Sequence, residues 1–274
     1  MTRPLSNVTE FVAAHQEGNL FRTLTEITLI ARRNLLLDLR NPAIIFGATA
    51  FPVFLLLVFT ASFAKVVMPN GSYADYAQFV VPFNIVQGLL FSVINTGNSL
   101  YSDLQSGMDT RLRTMPIARS AVLTGRILSS AARLLVQVGI TTLIGYLLGF
   151  RFQTNFLAII SFLILPVIFT LSFAWLAVFI AVKVKSAESI QAAMFPWVLP
   201  LTFLSIGYVP KEGFPEWIQG FVEINPVSSA AQALRGLSSG GLVASPVMIT
   251  LLWSFVLTAV FSTLAIRAYQ HRDS

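Results

Sequence analysis

Asn84, Gln87, Ser92, Asn95 and Asn98 recur at helical spacing inside a stretch, 76–102, that holds no Asp, Glu, Lys or Arg. On a wheel of ~100° per residue they share one sector of roughly 140° with Gly88, Ser99 and Ser102. Val86, Leu89, Leu90, Val93 and Leu100 fall on the other side. Amide donors and acceptors turned toward lipid would stay unpaired in hydrocarbon, so the polar face must look at protein or at water. Two roles fit such a face: it lines a path for a polar group, or it binds neighbouring spans together. The next segment, 103–119, is short, charged and turn-rich, with Asp103, Gly107, Asp109, Arg111, Arg113 and Pro116. A polar-faced span feeding a charged loop suits the coupling of a membrane event to a soluble one.

What is missing narrows the chemistry. No GxxxxGK[ST] phosphate loop occurs, so ATP hydrolysis is not expected in this chain. No HExxH occurs, and the only histidines, His15 and His271, stand near the ends. With no Cys, thiol chemistry and Cys metal sites are excluded. No metal site or catalytic group is predicted, because an interfacial nucleophile, a metal or an acid–base pair is not evident. The apolar stretches contain no Asp or Glu, the residues that ion-coupled carriers usually keep in mid-membrane. Arg133 is the one charge within a span. It lies about a turn and a half inside, a depth from which a guanidinium snorkels to the surface. The chain therefore looks built to move something, with neither fuel nor an ion couple of its own. Its energy is expected from a second polypeptide docked on 103–119, where Arg111 and Arg113 would meet carboxylates. Those arginines also serve to orient the chain in the membrane.

The elements that must position these residues follow from composition. Of 274 residues, 55% are hydrophobic and 11% charged, with a mean hydropathy of +0.74, against roughly 25% charge in a soluble domain. An all-α, polytopic membrane protein is predicted. The sequence pI near 10.0 does not imply nucleic acid, because the basic residues flank apolar segments. Residues 1–42 form a cytoplasmic N-terminal region, not a cleaved signal, with an amphipathic interface helix over 19–40. Six transmembrane helices are expected over 43–267, at 43–64, 79–101, 127–150, 155–182, 189–209 and 245–266. Residues 268–274 are a cytoplasmic tail. With both termini inside a cell membrane, Lys and Arg divide thirteen to four in favour of the cytoplasm.

The 210–236 segment is too long for a tight turn and too apolar for a solvated loop. A short helix around Trp217, a break at Asn225-Pro226 and a second helix up to Arg235 are predicted. They would form a re-entrant extracytoplasmic hairpin before the last span, or a surface helix with Trp217 at headgroup level. Pro52, Pro82, Pro166, Pro196 and Pro200 fall within spans and favour kinks. Gly145 and Gly149 make a small-x-x-x-small pair suited to close helix contact.

Together these residues resemble a known family. The order Asp103-Leu104-Gln105-Ser106-Gly107, then Leu112, Met115-Pro116-Ile117 and Arg119, is similar to the segment between spans two and three of type-2 ATP-binding-cassette exporter permeases. Asn225-Pro226-Val227 and Ala233-Leu234-Arg235-Gly236 resemble a second signature of that family, and the likeness runs through most of 20–267. Leu104 and Gln105 stand where the family usually carries a charged pair. The drug and lipid branch exemplified by daunorubicin-resistance permeases is the nearest in pattern. The resemblance implies a permease subunit paired with a second permease, as homodimer or heterodimer, and with two cytosolic ATPase subunits that bind ATP and Mg. It implies that 103–119 is the coupling helix and that spans two and five line the path. It implies export of an amphipathic drug, lipid or glycolipid. A polysaccharide exporter of the same architecture, a stand-alone channel or ion-coupled carrier, and a membrane anchor without transport are the alternatives. Phe83, Phe91 and Tyr101, at the edges of the stripe, would suit either exporter class.

Overall fold

A computed structural model describes residues 42–105 and 119–270. Among them the structure is helical throughout: α1 (Pro42–Val67), α2 (Tyr73–Gln105), α3 (Arg119–Leu147), α4 (Phe156–Lys183), α5 (Ala187–Phe203), α6 (Glu216–Ile224), α7 (Pro226–Ser239) and α8 (Ala244–Gln270). A single 3-10 turn, Lys211–Gly213, precedes α6. The predicted amphipathic helix over 19–40 and most of the segment 103–119 lie outside the described residues.

Local chemistry sets the helix ends. Ser72 and Asp75 form a reciprocal capping box at the start of α2: the Ser72 N–H donates to Asp75 Oδ2 at 2.7 Å, and the Asp75 N–H donates to Ser72 Oγ at 3.2 Å. Asn155 caps α4 by accepting from the Ala158 N–H at 2.9 Å, and Ser186 caps α5 through the Ser189 N–H. Gly149, at φ +106°, turns the chain sharply after α3.

Five helices, α1 to α4 and α8, are long and apolar enough to cross a membrane. Two helices differ in length from the spans expected on them. The second span is predicted at 79–101, but α2 runs for 33 residues, because the capping box starts it well before the apolar core. The fifth is predicted at 189–209, but α5 stops after 17 residues. That is about 25 Å of helix against a hydrocarbon core of ~30 Å. Beyond Phe203 the chain folds into turns, with the Leu204 N–H donating back to Pro200 O at 2.9 Å.

α2 is the spine. It packs against α1, α3, α4, α5 and α7, and both its polar and apolar faces are largely buried. α8 closes the bundle mainly against α4 and α7. Gly145 and Gly149 make the close contact foreseen for them: a Cβ on Gly145 would lie 2.8 Å from Val81 Cγ1, and one on Gly149 would lie 2.6 Å from Ala74 Cβ. Both neighbours belong to α2. The outward faces of α1, α5 and α8 carry large exposed hydrophobics, including Phe51 and Phe54, Trp197 and Phe203, and Leu252 and Phe255.

Candidate functional site

The polar face of α2 divides along its length. Toward the α6–α7 end its amides turn into the bundle. Asn84 is fully buried and its Nδ2 donates to Pro52 O of α1 at 3.0 Å. Gln87 is fully buried and its Oε1 accepts the Tyr208 hydroxyl at 2.5 Å. Ser92 Oγ donates to Gln137 Oε1 of α3 at 2.6 Å. Asn95 and Asn98, nearer the charged segment, are only half-buried. The polar side chains thus split into a bonded set, Asn84, Gln87 and Ser92, and a more open pair.

Arg133 does not snorkel. It is 4% exposed, and its Nη2 donates to Thr96 Oγ1 of α2 at 3.1 Å and to Ser130 Oγ at 3.4 Å. Thr96 and Ser130 approach each other at 3.2 Å. An arginine three residues after a serine on α3 meets a hydroxyl across the interface, and so spends its donors inside the protein rather than at the surface.

The hairpin locks onto the start of α2. Asn225, 1% exposed, serves three bonds. Its Oδ1 accepts from the Val227 N–H at 2.8 Å, which caps α7, with Pro226 as the first helical residue. Its Nδ2 donates to Leu201 O at 2.9 Å and Leu204 O at 2.7 Å, carbonyls that the end of α5 leaves open. One side chain therefore ends α5 and begins α7. Arg235 on α7 reaches back to α2: Nε donates to Phe79 O and Nη2 to Gly207 O, both at 2.8 Å. Its guanidinium lies 3.6 Å from the Phe79 ring centre. Trp217, on α6, is 83% exposed.

Between hairpin and spine sits Tyr208. Its ring stacks on Phe59 at 3.8 Å and meets Phe83 edge-on at 4.7 Å, and its carbonyl accepts the Tyr76 hydroxyl at 3.3 Å. Gly207 beside it has no room for a side chain, since a Cβ would lie 2.3 Å from the Phe83 ring. Tyr208, Thr96, Ser130 and Gln137 are partners that sequence reasoning did not name. The stripe implied that partners existed but carried no register to identify them.

The edge aromatics are also engaged within the chain. Phe83 packs on Tyr208, Phe91 meets Phe51 edge-on at 5.6 Å, and the Tyr101 hydroxyl donates to Lys185 O at 2.5 Å. Asp103 stands in the last turn of α2. Gly107, Asp109, Arg111, Arg113 and Pro116 lie outside the described residues. No group of three or more metal-ligating side chains occurs among the described residues.

Comparison with known proteins places this architecture. The chain is 30% identical over 278 residues to the daunorubicin resistance ABC transporter permease protein DrrB1 of Streptomyces coeruleorubidus, covering 100% of this chain and 96% of that protein. It is 29% identical over 246 residues to the probable doxorubicin resistance ABC transporter permease protein DrrC of Mycobacterium tuberculosis, covering 86% and 85%. It is 24% identical over 221 residues to the putative transport permease ycf38 of Cyanophora paradoxa, covering 80% and 76%. Residues 25–238 match the model of the ABC-2 type transporter domain. A bundle of membrane-length helices around a polar-faced spine, matched to that model over most of its length, makes this chain a member of the ABC-2 type transporter family.

Proposed function

We propose that the chain is the permease subunit of an ATP-driven exporter that carries an amphipathic drug, lipid or glycolipid out of the cytoplasm. The observation that carries the reading is the course of α2. It is one continuous helix of 33 residues, about 50 Å long. Over its first half it is bonded through Gln87 to Tyr208 and through Phe79 O to Arg235 of α7, and at its far end the chain continues into 103–119. A movement imposed on that segment reaches the far end of the bundle through a single rod. The drug-resistance names of the relatives support an amphipathic cargo, and family membership weighs against a stand-alone carrier.

In this account 103–119 is the coupling segment, seated on a cytosolic ATPase that binds ATP and Mg. Asp103, Asp109, Arg111 and Arg113 supply its charges, and Gly107 and Pro116 its turn-forming residues. Both termini are cytoplasmic. α5 and the turns to 210 make a sixth, shorter crossing, and α6–α7 return within the outer leaflet with Trp217 at headgroup level. α1 and α5 flank the spine and carry exposed aromatics, which supports pairing with a second permease subunit across that face. Asn95 and Asn98 face the path, while Asn84, Gln87 and Ser92 hold the spine in its bundle.

The test is co-purification followed by flux. The tagged chain should bring down a soluble subunit with a phosphate-loop sequence, and vesicles holding both should move a fluorescent anthracycline or labelled lipid only with ATP. Equal flux from the permease alone would overturn the proposal.

A further inference from the structure

Among the described residues no carboxylate forms a salt bridge with Arg235. The salt bridge described among these residues joins Lys211 and Glu223, elsewhere on the hairpin. Arg235 is half-buried, and its bonds go to two backbone carbonyls through Nε and Nη2. Carbonyl dipoles and the Phe79 ring offset part of the desolvation of a guanidinium but leave its charge uncancelled. Nη1, which makes no bond among the described residues, carries two further donors.

Arg235 also lines a cleft of about 480 Å³. Gln232, Arg235 and Ser239 of α7 line one side, and Gly240, Ser245 and Pro246 continue the wall into α8. No acidic side chain lines it. Ser239 Oγ accepts from Gln78 Nε2 at 2.7 Å and lies 3.5 Å from Ser238 Oγ. The first turn of α8 adds the positive end of its helix dipole, although Pro246 carries no N–H and the Val247 N–H donates to Val243 O at 3.1 Å. A guanidinium, two hydroxyls, an amide and a helix start, with no competing carboxylate, suit a tetrahedral oxyanion. The α3–α4 turn braces the wall, for the Gln153 N–H donates to Ser238 O at 2.8 Å and Thr154 Oγ1 to Leu237 O at 2.6 Å.

We propose that this cleft binds a phosphate group, with Arg235 as its main ligand and Ser239, Ser245 and Gln232 as its secondary donors. The phosphate comes from a lipid headgroup or from solution, and the two sources separate by experiment. Bound there, the anion supplies the counter-charge that Arg235 lacks, at the joint between α7, α8 and the start of α2.

The full chain, purified in detergent, is exchanged with phosphatidylglycerol or with monogalactosyldiacylglycerol of the same tails, and retained lipid is counted by native mass spectrometry. Wild type should hold phosphatidylglycerol about tenfold better, the scale of one charge-assisted contact. Arg235→Gln should abolish the preference but also removes two structural bonds. Gln232→Glu is therefore the decisive variant: it sets a carboxylate one turn from Arg235, keeps the size of the side chain, and should also erase the preference. In the second arm, inorganic phosphate is titrated into delipidated protein. Millimolar binding that Gln232→Glu removes, without lipid preference, assigns the site to free phosphate. Equal retention of both lipids with no phosphate binding, or a preference that Gln232→Glu leaves intact, overturns the proposal. Transport is not read, so the result is independent of the cargo and of the ATPase.

Discussion

The Tyr208–Gln87 bond offers the sharpest perturbation of the joint between the turn after α5 and the spine. Tyr208→Phe deletes one hydroxyl and keeps the ring that stacks on Phe59 and abuts Phe83. Gln87 Oε1 then loses its donor in a fully buried position. Interhelical hydrogen bonds in membranes average roughly 0.6 kcal/mol and reach ~1.7 kcal/mol, while a buried acceptor left empty costs ~1–3 kcal/mol. The single substitution should therefore destabilise by about 1–2 kcal/mol, and Gln87→Met by a similar amount. Both remove the same contact, so the double variant should fall short of the sum by about 1 kcal/mol. Unfolding in mixed micelles, titrated with sodium dodecyl sulfate, measures all four corners of the cycle. Strictly additive effects would show that the hydroxyl does not bond Gln87 in the membrane and would refute the docking of the turn after α5 on α2.

Other substitutions test neighbouring parts of the account. Gly207→Ala puts a methyl into the Phe83 ring and should cost ~1–3 kcal/mol of stability; combining it with Phe83→Leu should restore most of the loss in the same micelle titration. Asn225→Ala removes the α7 cap and both carbonyl contacts to α5, which should lower stability by about 2 kcal/mol and open 204–225 to proteolysis, whereas Asn225→Asp should keep the cap and lose less. Asn95→Leu should cut flux with accumulation unchanged. Asn84→Leu, which strips a bond from a fully enclosed position, should instead reduce accumulation. Equal effects at both positions would remove the proposed division of the stripe.

The sequence showed the bundle through its apolar stretches and showed α6 and α7 through Asn225-Pro226. It did not show the helix ends that depend on bonding between side chain and backbone. Asp75, with Ser72, caps α2 and starts the helix before the span expected at 79–101. Pro196 and Pro200 were visible in α5, but its last carbonyls are taken by Asn225, 21 and 24 residues downstream. No periodicity reports a contact at that distance. Arg133 was given the wrong outlet, because the pattern of one helix does not show that the Thr96 hydroxyl of another meets it. The amide stripe was legible as polar. Which members turn inward depends on α1, α3 and the turn at Tyr208, whose register against α2 the sequence does not encode locally.

The central claim is that α2 and the segment after it couple an ATPase to movement of cargo. It is tested most directly by Gly107→Pro in vesicles that contain the permease and its ATPase, with ATP hydrolysis and labelled-substrate flux recorded together. The account predicts that the variant inserts normally, because no charge changes, and that flux collapses while hydrolysis either continues unproductively or is lost with the released ATPase. Wild-type flux in the Gly107→Pro vesicles, at a wild-type ratio of ATP to substrate, would contradict it.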